Sequence, residues 1–255
     1  MSIVLNKGSF NLVHTQGTDS ANDISFQKIV WSPEKKLRNL KNAYRFCAEA
    51  GINARGNLAV AGFKNSNDDL VRLIDAPDNG DLFEKIDGNA LITDTNVCLM
   101  GWASDCCLLA IVGDGGETLA VVHASVNSFS KGIIERTLET MRKRGVRRFE
   151  AYIGVCAGEC CYEYGEDRAK LDFANYPDFI KPSQVDGKVF LDLYGAIIYC
   201  LERHGVEVTE LSPECHCNIC AKTSDGRFIY PSFRRDVDEN GNHVNGQYGL
   251  FICKN

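Results

Sequence analysis

Residues 104–125, SDCCLLAIVGDGGETLAVVHAS, carry a thiol near one end and an imidazole near the other. Two apolar runs flank Gly113-Asp114-Gly115-Gly116, and Asp-Gly supplies the positive φ angles of a tight primed turn. A hairpin centred on Asp114-Gly115 puts Cys106 directly across from His123. Opposed side chains share a sheet face with Cβ atoms roughly 4.5–5.5 Å apart. An imidazole beside a thiol favours the nucleophilic thiolate. The same two groups are also soft and borderline ligands suited to zinc or copper. Cys106 and His123 are therefore candidate catalytic residues and candidate metal ligands, although a small buried cysteine facing a hydrogen-bonded histidine has the same signature.

Three further stretches carry reactive side chains. ECHCNICAK holds Cys215, His216, Cys217 and Cys220. C-x-x-C is a metal-ligand spacing, but a structural zinc site needs a fourth ligand, which Cys253 or Cys160 supplies only if the fold brings it near. Packing of loop cysteines at an edge is the expected reading there. SFRRD offers Arg234 and Arg235, whose guanidinium forks suit a carboxylate or phosphate and make them candidate phosphate-binding residues. YIGVCAGECCYEYG mixes three cysteines with glycines that permit close backbone approach. It matches neither a phosphate-binding P-loop nor a dinucleotide fingerprint.

The elements that must position these residues are legible in outline. Ser32, Pro33 and Glu34 open a helix in which Leu37, Leu40, Tyr44 and Cys47 form an apolar stripe, closed by Gly51. Strand-like runs follow: NLAVAGF, LVRLI, NALIT, VCLMGWA and the hairpin. Both faces of the hairpin are apolar, so its sheet must be covered on both sides. FSKGIIERTLETMRKRG reads as a second helix, RRFEAYIG as a strand, and KVFLDLYGAIIYCLERHG as a third helix. VEVTEL and YGLFICK resume strand. Residues 166–186 and 236–246 are the least structured by pattern. The fold expected is an α/β (α+β) layered sandwich of mixed β-sheets covered by helices, forming one domain over residues 1–255.

Composition narrows the partners. The chain has 255 residues, 44% hydrophobic and 24% charged, which is ordinary globular usage with room for a core. A net charge of −6 provides no basic field for nucleic acid or an anionic membrane, so neither is an expected partner. No apolar run approaches the ~18 residues of a membrane span, and the start lacks the pattern of a signal peptide. A cytoplasmic protein is expected, with its twelve cysteines reduced.

Taken together and in order, several stretches resemble the YfiH/laccase-domain family, also described as multicopper polyphenol oxidase-like. DGNALITD…ASDCCLLAIVGD is similar to the family's DALVTD…TADCLPVLLAD, and AVVHA falls where the family has VHAGWRG. AYIGVCAGECCYEYG is close to IGPCIGPCCYEVG, LDLYGAIIYCLERHGVE to LDLWAANRLQLLEAGVE, and CNIC…FRRD to CTYC…FFSYRRDG. The resemblance implies a layered sandwich and a zinc or copper site of His, Cys and His, the latter two at Cys106 and His123. It implies polyphenol oxidation, purine nucleoside phosphorolysis or adenosine deamination, with a nucleoside and phosphate as small-molecule partners. A monomer is expected. The sequence departs from the family at the first metal ligand, where Ser66 stands for histidine, and in VHASVNS, where Val126 and Asn127 replace tryptophan and arginine. Asn245-Gly246-Gln247 replaces a late TGR triplet.

Three readings follow. In a nucleoside enzyme, Cys106 and His123 hold a metal or polarise water, Arg234 or Arg235 receives phosphate, and the helix after His123 offers backbone N–H groups to the same anion. In a metal-free Cys-His hydrolase or deamidase, Cys106 is the nucleophile and His123 the base. In a diverged binding protein the site is inert. With Ser66 at one ligand position, any zinc or copper site is expected to be weak or incomplete unless another residue, such as His14, takes over.

Overall fold

The computed structural model describes residues 2–16, 33–52, 58–62, 71–73, 84–212, 215–241 and 246–255. In chain order the first elements are β1 (Ser2–Asn6), β2 (Phe10–Thr15), α1 (Pro33–Glu49), β3 (Leu58–Gly62) and β4 (Val71–Leu73). Next come β5 (Glu84–Asp87), β6 (Ala90–Thr93), β7 (Cys98–Ala103), β8 (Cys107–Gly113) and β9 (Thr118–Ala124). The middle of the chain forms α2 (Val126–Ser130), α3 (Ile133–Lys143), β10 (Phe149–Ile153), β11 (Glu163–Gly165) and α4 (Glu166–Asp172). It closes with β12 (Ile180–Pro182), β13 (Lys188–Leu191), α5 (Leu193–Arg203), β14 (Glu207–Glu210) and β15 (Tyr248–Lys254).

Two six-stranded mixed sheets, ordered β1-β2-β15-β7-β3-β5 and β14-β10-β8-β9-β6-β4, pack face to face. Between them lie Leu12, Leu99, Leu108, Val121, Leu250 and Ile252. Alternation along β8 and β9 sends Cys107, Leu109, Ile111 and Val122 to the opposite face, where α3 and α5 cover them. The outer face of the first sheet presents Val13, Val60, Met100 and Phe251 to α1. The layers run helix, sheet, sheet, helix, as a hairpin apolar on both faces requires. A small sheet, β11-β13-β12, flanks the second layer.

Several expectations are corrected. The hairpin closes through a four-residue loop rather than a two-residue turn: Gly113 pairs with Thr118, and Leu108, not Cys106, lies opposite His123. The Asp114 carboxylate explains the longer loop, because it accepts the backbone N–H groups of Arg147 and Arg148 at the start of β10. Asp114, Gly115 and Gly116 all take positive φ. The register shifts by two residues, which keeps every side chain on its expected face.

The third helix begins only at Leu193. Asp192 caps it by accepting the Gly195 N–H, while KVFL before it is strand β13. Residues 166–186 are also more ordered than their pattern suggests, holding α4, a short 3₁₀ turn at Pro177–Phe179 and β12. In α1 the buried face runs through Ala43, Phe46 and Cys47, continued by Ala50 just past its end, with Leu40 and Tyr44 only half-buried at its side. The N-terminal hairpin β1–β2, which no expected element covers, supplies the outer strands next to β15.

Candidate functional site

The loop between β7 and β8 and the C-terminal end of β9 open onto a cavity of about 390 Å³. Its wall includes Asp105, Cys106, His123, Tyr162, Phe233 and Arg234. This volume is at the small end of the range for small-molecule sites, about 300–1,000 Å³. Although Cys106 precedes β8 and is not paired with His123, the preserved face lets both side chains reach the same space.

Each wall residue is held from behind. Tyr248 on β15 places its hydroxyl 2.6 Å from both Cys106 O and Val155 O, fixing the backbone under the thiol. His123 Nδ1 lies 2.9 Å from Asn89 Oδ1, one residue before β6. A carbonyl oxygen only accepts, so Nδ1 carries the proton and Nε2 the lone pair. Asp105 is held by Asn218 Nδ2, 2.9 Å from its Oδ1, and its Oδ2 accepts the Arg234 N–H at 2.9 Å. Asn89, Asp105 and Asn218 escaped the sequence reading, because each acts through a contact between distant segments.

The two arginines separate. Arg234 lays its guanidinium over the Tyr162 ring, 4.4 Å from the centroid, and donates from one terminal nitrogen to Glu163 O at 2.6 Å. Among the described residues that is its one side-chain hydrogen bond, so most of its fork faces the cavity uncommitted. Arg235 is the reverse. Its guanidinium donates to Asp236 and to the carbonyls of Asn218, Ile219 and Tyr230, and lies over Phe228. Its fork is saturated, so it has no donors left for phosphate.

Electrostatics set the resting protonation. Burial pushes the Cys106 thiol up to about 12, the charge of Asp105 and the neighbouring Cys107 add to the rise, and Arg234 offsets part of it. Burial holds His123 down to about 3. Both shifts favour a neutral thiol and a neutral imidazole in the cavity over a thiolate–imidazolium pair. The helix expected to offer N–H groups to an anion is the five-residue α2. Its first turn is closed by a capping box in which Ser125 accepts the Ser128 N–H.

His14 is fully buried beneath the cavity wall, against Tyr230 and Tyr248, and is not among the cavity-lining residues. Neither ring nitrogen has a hydrogen-bond partner among the described residues. Gly154 makes room for it, since a Cβ there would stand 2.7 Å from His14 Nε2.

The sequence and the architecture match known proteins. The family model described as multi-copper polyphenol oxidoreductase laccase covers residues 32–247. The chain belongs to this family. Among curated relatives of this laccase-family chain is a purine nucleoside phosphorylase of Aquifex aeolicus, 27% identical over 66% of the chain and 72% of the relative. A purine nucleoside phosphorylase of Clostridium acetobutylicum is 26% identical over 84% of the chain and 83% of the relative. Solved structures with the same fold include a Neisseria meningitidis protein assigned to DUF152, at TM-score 0.74 and 19% identity, covering 100% of this chain and 98% of that one. YfiH of Bacillus licheniformis aligns at TM-score 0.72 and 17% identity, covering 96% and 92%.

The family description raises the question of copper or zinc in the cavity. Cys106 and His123 supply two suitable ligand types, and among the described residues no third ligand joins them. Ser66, which the resemblance puts at the first ligand position, lies outside the described residues. The described donor set does not complete the three-ligand site that the resemblance implies. No helix among the described residues is long and apolar enough to cross a membrane.

Proposed function

We propose that this chain processes purine nucleosides, by phosphorolysis, in the cavity shared by Cys106, His123 and Arg234. The observation that carries the reading is the contrast between the arginines: one guanidinium saturated by protein, its neighbour open to a cavity of small-molecule size. An anion held against that fork gains charge-assisted hydrogen bonds in a partly desolvated site. Phosphate needs no base to become a nucleophile. What it needs is placement beside C1′ of the ribose, where its oxygen bonds to carbon as the bond to the purine nitrogen breaks. The lone pair on His123 Nε2, aimed by Asn89, accepts a hydrogen bond from a ribose hydroxyl or the phosphate. Phe233, half exposed at the mouth, offers an aromatic face to the purine. The names of the two curated relatives support this substrate class.

The test is turnover of adenosine, inosine and guanosine with and without phosphate, scoring free base against deaminated nucleoside. Replacing Arg234 with Ala removes charged hydrogen bonds worth about 1.5–3 kcal/mol and should raise KM for phosphate about 10- to 100-fold. Arg235→Ala should lower stability and leave that KM unchanged. Phosphate-independent release of inosine from adenosine, or an unchanged phosphate KM in Arg234→Ala, refutes phosphorolysis at this site.

A further inference from the structure

A second cluster of reactive side chains lies outside the cavity wall. Cys160 and Cys161 sit in the turn after Gly158, and Cys217 and Cys220 in the C-x-x-C turn that follows β14. Their four Sγ atoms all lie within 4.8 Å of one another. Cys160 and Cys220 bring theirs to 3.6 Å. Zinc–sulfur bonds of about 2.3 Å in a tetrahedron give sulfur–sulfur edges of about 3.8 Å. The four sulfurs therefore stand at coordination spacing.

The surrounding backbone fits a charged sulfur. The Gly158 N–H donates to Cys217 Sγ at 3.3 Å. A backbone N–H aimed at a weakly accepting sulfur is what a metal-bound thiolate uses to spread its charge. The two turns are brought together by a parallel bridge between Cys156 and Cys217, with Cys156 N–H donating to His216 O and Asn218 N–H to Cys156 O. Gly158 permits the approach, because a Cβ there would meet Cys217 Cβ at 2.9 Å.

We propose that Cys160, Cys161, Cys217 and Cys220 bind one zinc ion as four thiolates, and that this ion locks the turn that positions Asp105 and Arg234. Four thiols release four protons as four Zn–S bonds form, with no change in oxidation state. Tetrahedral all-sulfur coordination selects zinc or iron over copper(II), and a site with no open position fits a structural ion. Its reach to the cavity is short. Asn218, between the paired cysteines, places Nδ2 2.9 Å from Asp105 Oδ1 and 2.9 Å from Ser104 O. The carbonyls of Asn218 and Ile219 also accept from Arg235, the chain neighbour of Arg234. The proposal does not depend on the nucleoside reading.

The experiment uses the full chain, purified without a histidine tag under reducing conditions, with metal content measured per chain. Zinc at about one per chain is expected in the intact protein and in Cys106→Ala and His123→Ala, falling at least about 10-fold in Cys217→Ser and Cys220→Ser. Replacing zinc with cobalt in the intact chain should produce the intense visible bands and thiolate charge transfer of a four-sulfur tetrahedral site, a readout that needs no variant to fold. Intact reduced protein without zinc, stoichiometric iron instead, zinc that survives both serine substitutions, or a cobalt spectrum with fewer thiolates would each overturn the assignment.

Discussion

His14 gives the buried face beneath the cavity wall a defined acid sensitivity. Its ring is fully buried, has no hydrogen-bond partner among the described residues, and is held by burial down to about 3. In the unfolded chain a histidine titrates near 6.5, so between the two values the unfolded state binds the extra proton and the folded state does not. The folded pKa is the lower one. The stability it contributes is therefore fully present above about pH 6.5 and is lost as the pH falls toward 3. Each unit inside that window costs about 1.4 kcal/mol, so a fall from about pH 7 to about pH 5 removes about 2 kcal/mol, roughly a 30-fold change in the folding equilibrium. His123 carries the same sign and adds its own loss. Urea unfolding at the two pH values, compared between the intact chain and His14→Leu, isolates the first contribution, because any packing cost of the substitution cancels in the difference between pH values. The variant should lose about 2 kcal/mol less than the parent over that interval. Equal losses in both proteins would mean that His14 accepts its proton in the folded state, and the reasoning from burial would fail.

Two further substitutions test how the site is supported. Asn89→Ala removes the acceptor 2.9 Å from His123 Nδ1, and kcat should fall about 10-fold and stability by about 1–3 kcal/mol. Steady-state kinetics with unaltered kcat would show that Asn89 does not orient the imidazole. Gly154→Ala drives a methyl group to 2.7 Å from His14 Nε2 and 2.9 Å from Leu108 O, and should cost about 1–3 kcal/mol in thermal or urea unfolding. A variant as stable as the parent would mean that the two sheets separate more easily here than their packing implies.

The sequence reveals the faces of this protein more readily than its registers. Alternation along CCLLAIV and TLAVVHA dictated a sheet covered on both sides, and that layer is present. The pairing partner of His123 was not legible, because loop length is decided by Asp114 bonding to Arg147 and Arg148 across the next strand. KVFL and LYGAIIYC form one apolar run whose periodicity does not separate strand from helix. What separates them is the Asp192 cap, which accepts the Gly195 N–H, and the pairing of β13 with β11 and β12, which only the folded sheet supplies.

The candidate site follows the same logic at the level of single side chains. Cys106 and His123 were identifiable because they lie in one hairpin, and a two-residue slip does not move a side chain off its face. Arg234 and Arg235 are identical neighbours in sequence, yet successive residues point in different directions. One fork enters the cavity and the other enters a nest of carbonyls that exists only once the C-x-x-C turn is folded. The same turn shows why the cysteine cluster is only partly legible, with Cys160 named as one conditional fourth ligand beside Cys253 and Cys161 not named. C-x-x-C marks two ligands, and the other two come from a vicinal pair, Cys160-Cys161, which local spacing marks as poorly suited to a staple. Vicinal cysteines become a matched half-site only when the parallel Cys156–Cys217 bridge sets one turn against the other. Ligand pairs that meet through long-range strand pairing leave no periodic signal, so they are found by asking which backbone N–H groups already point at sulfur.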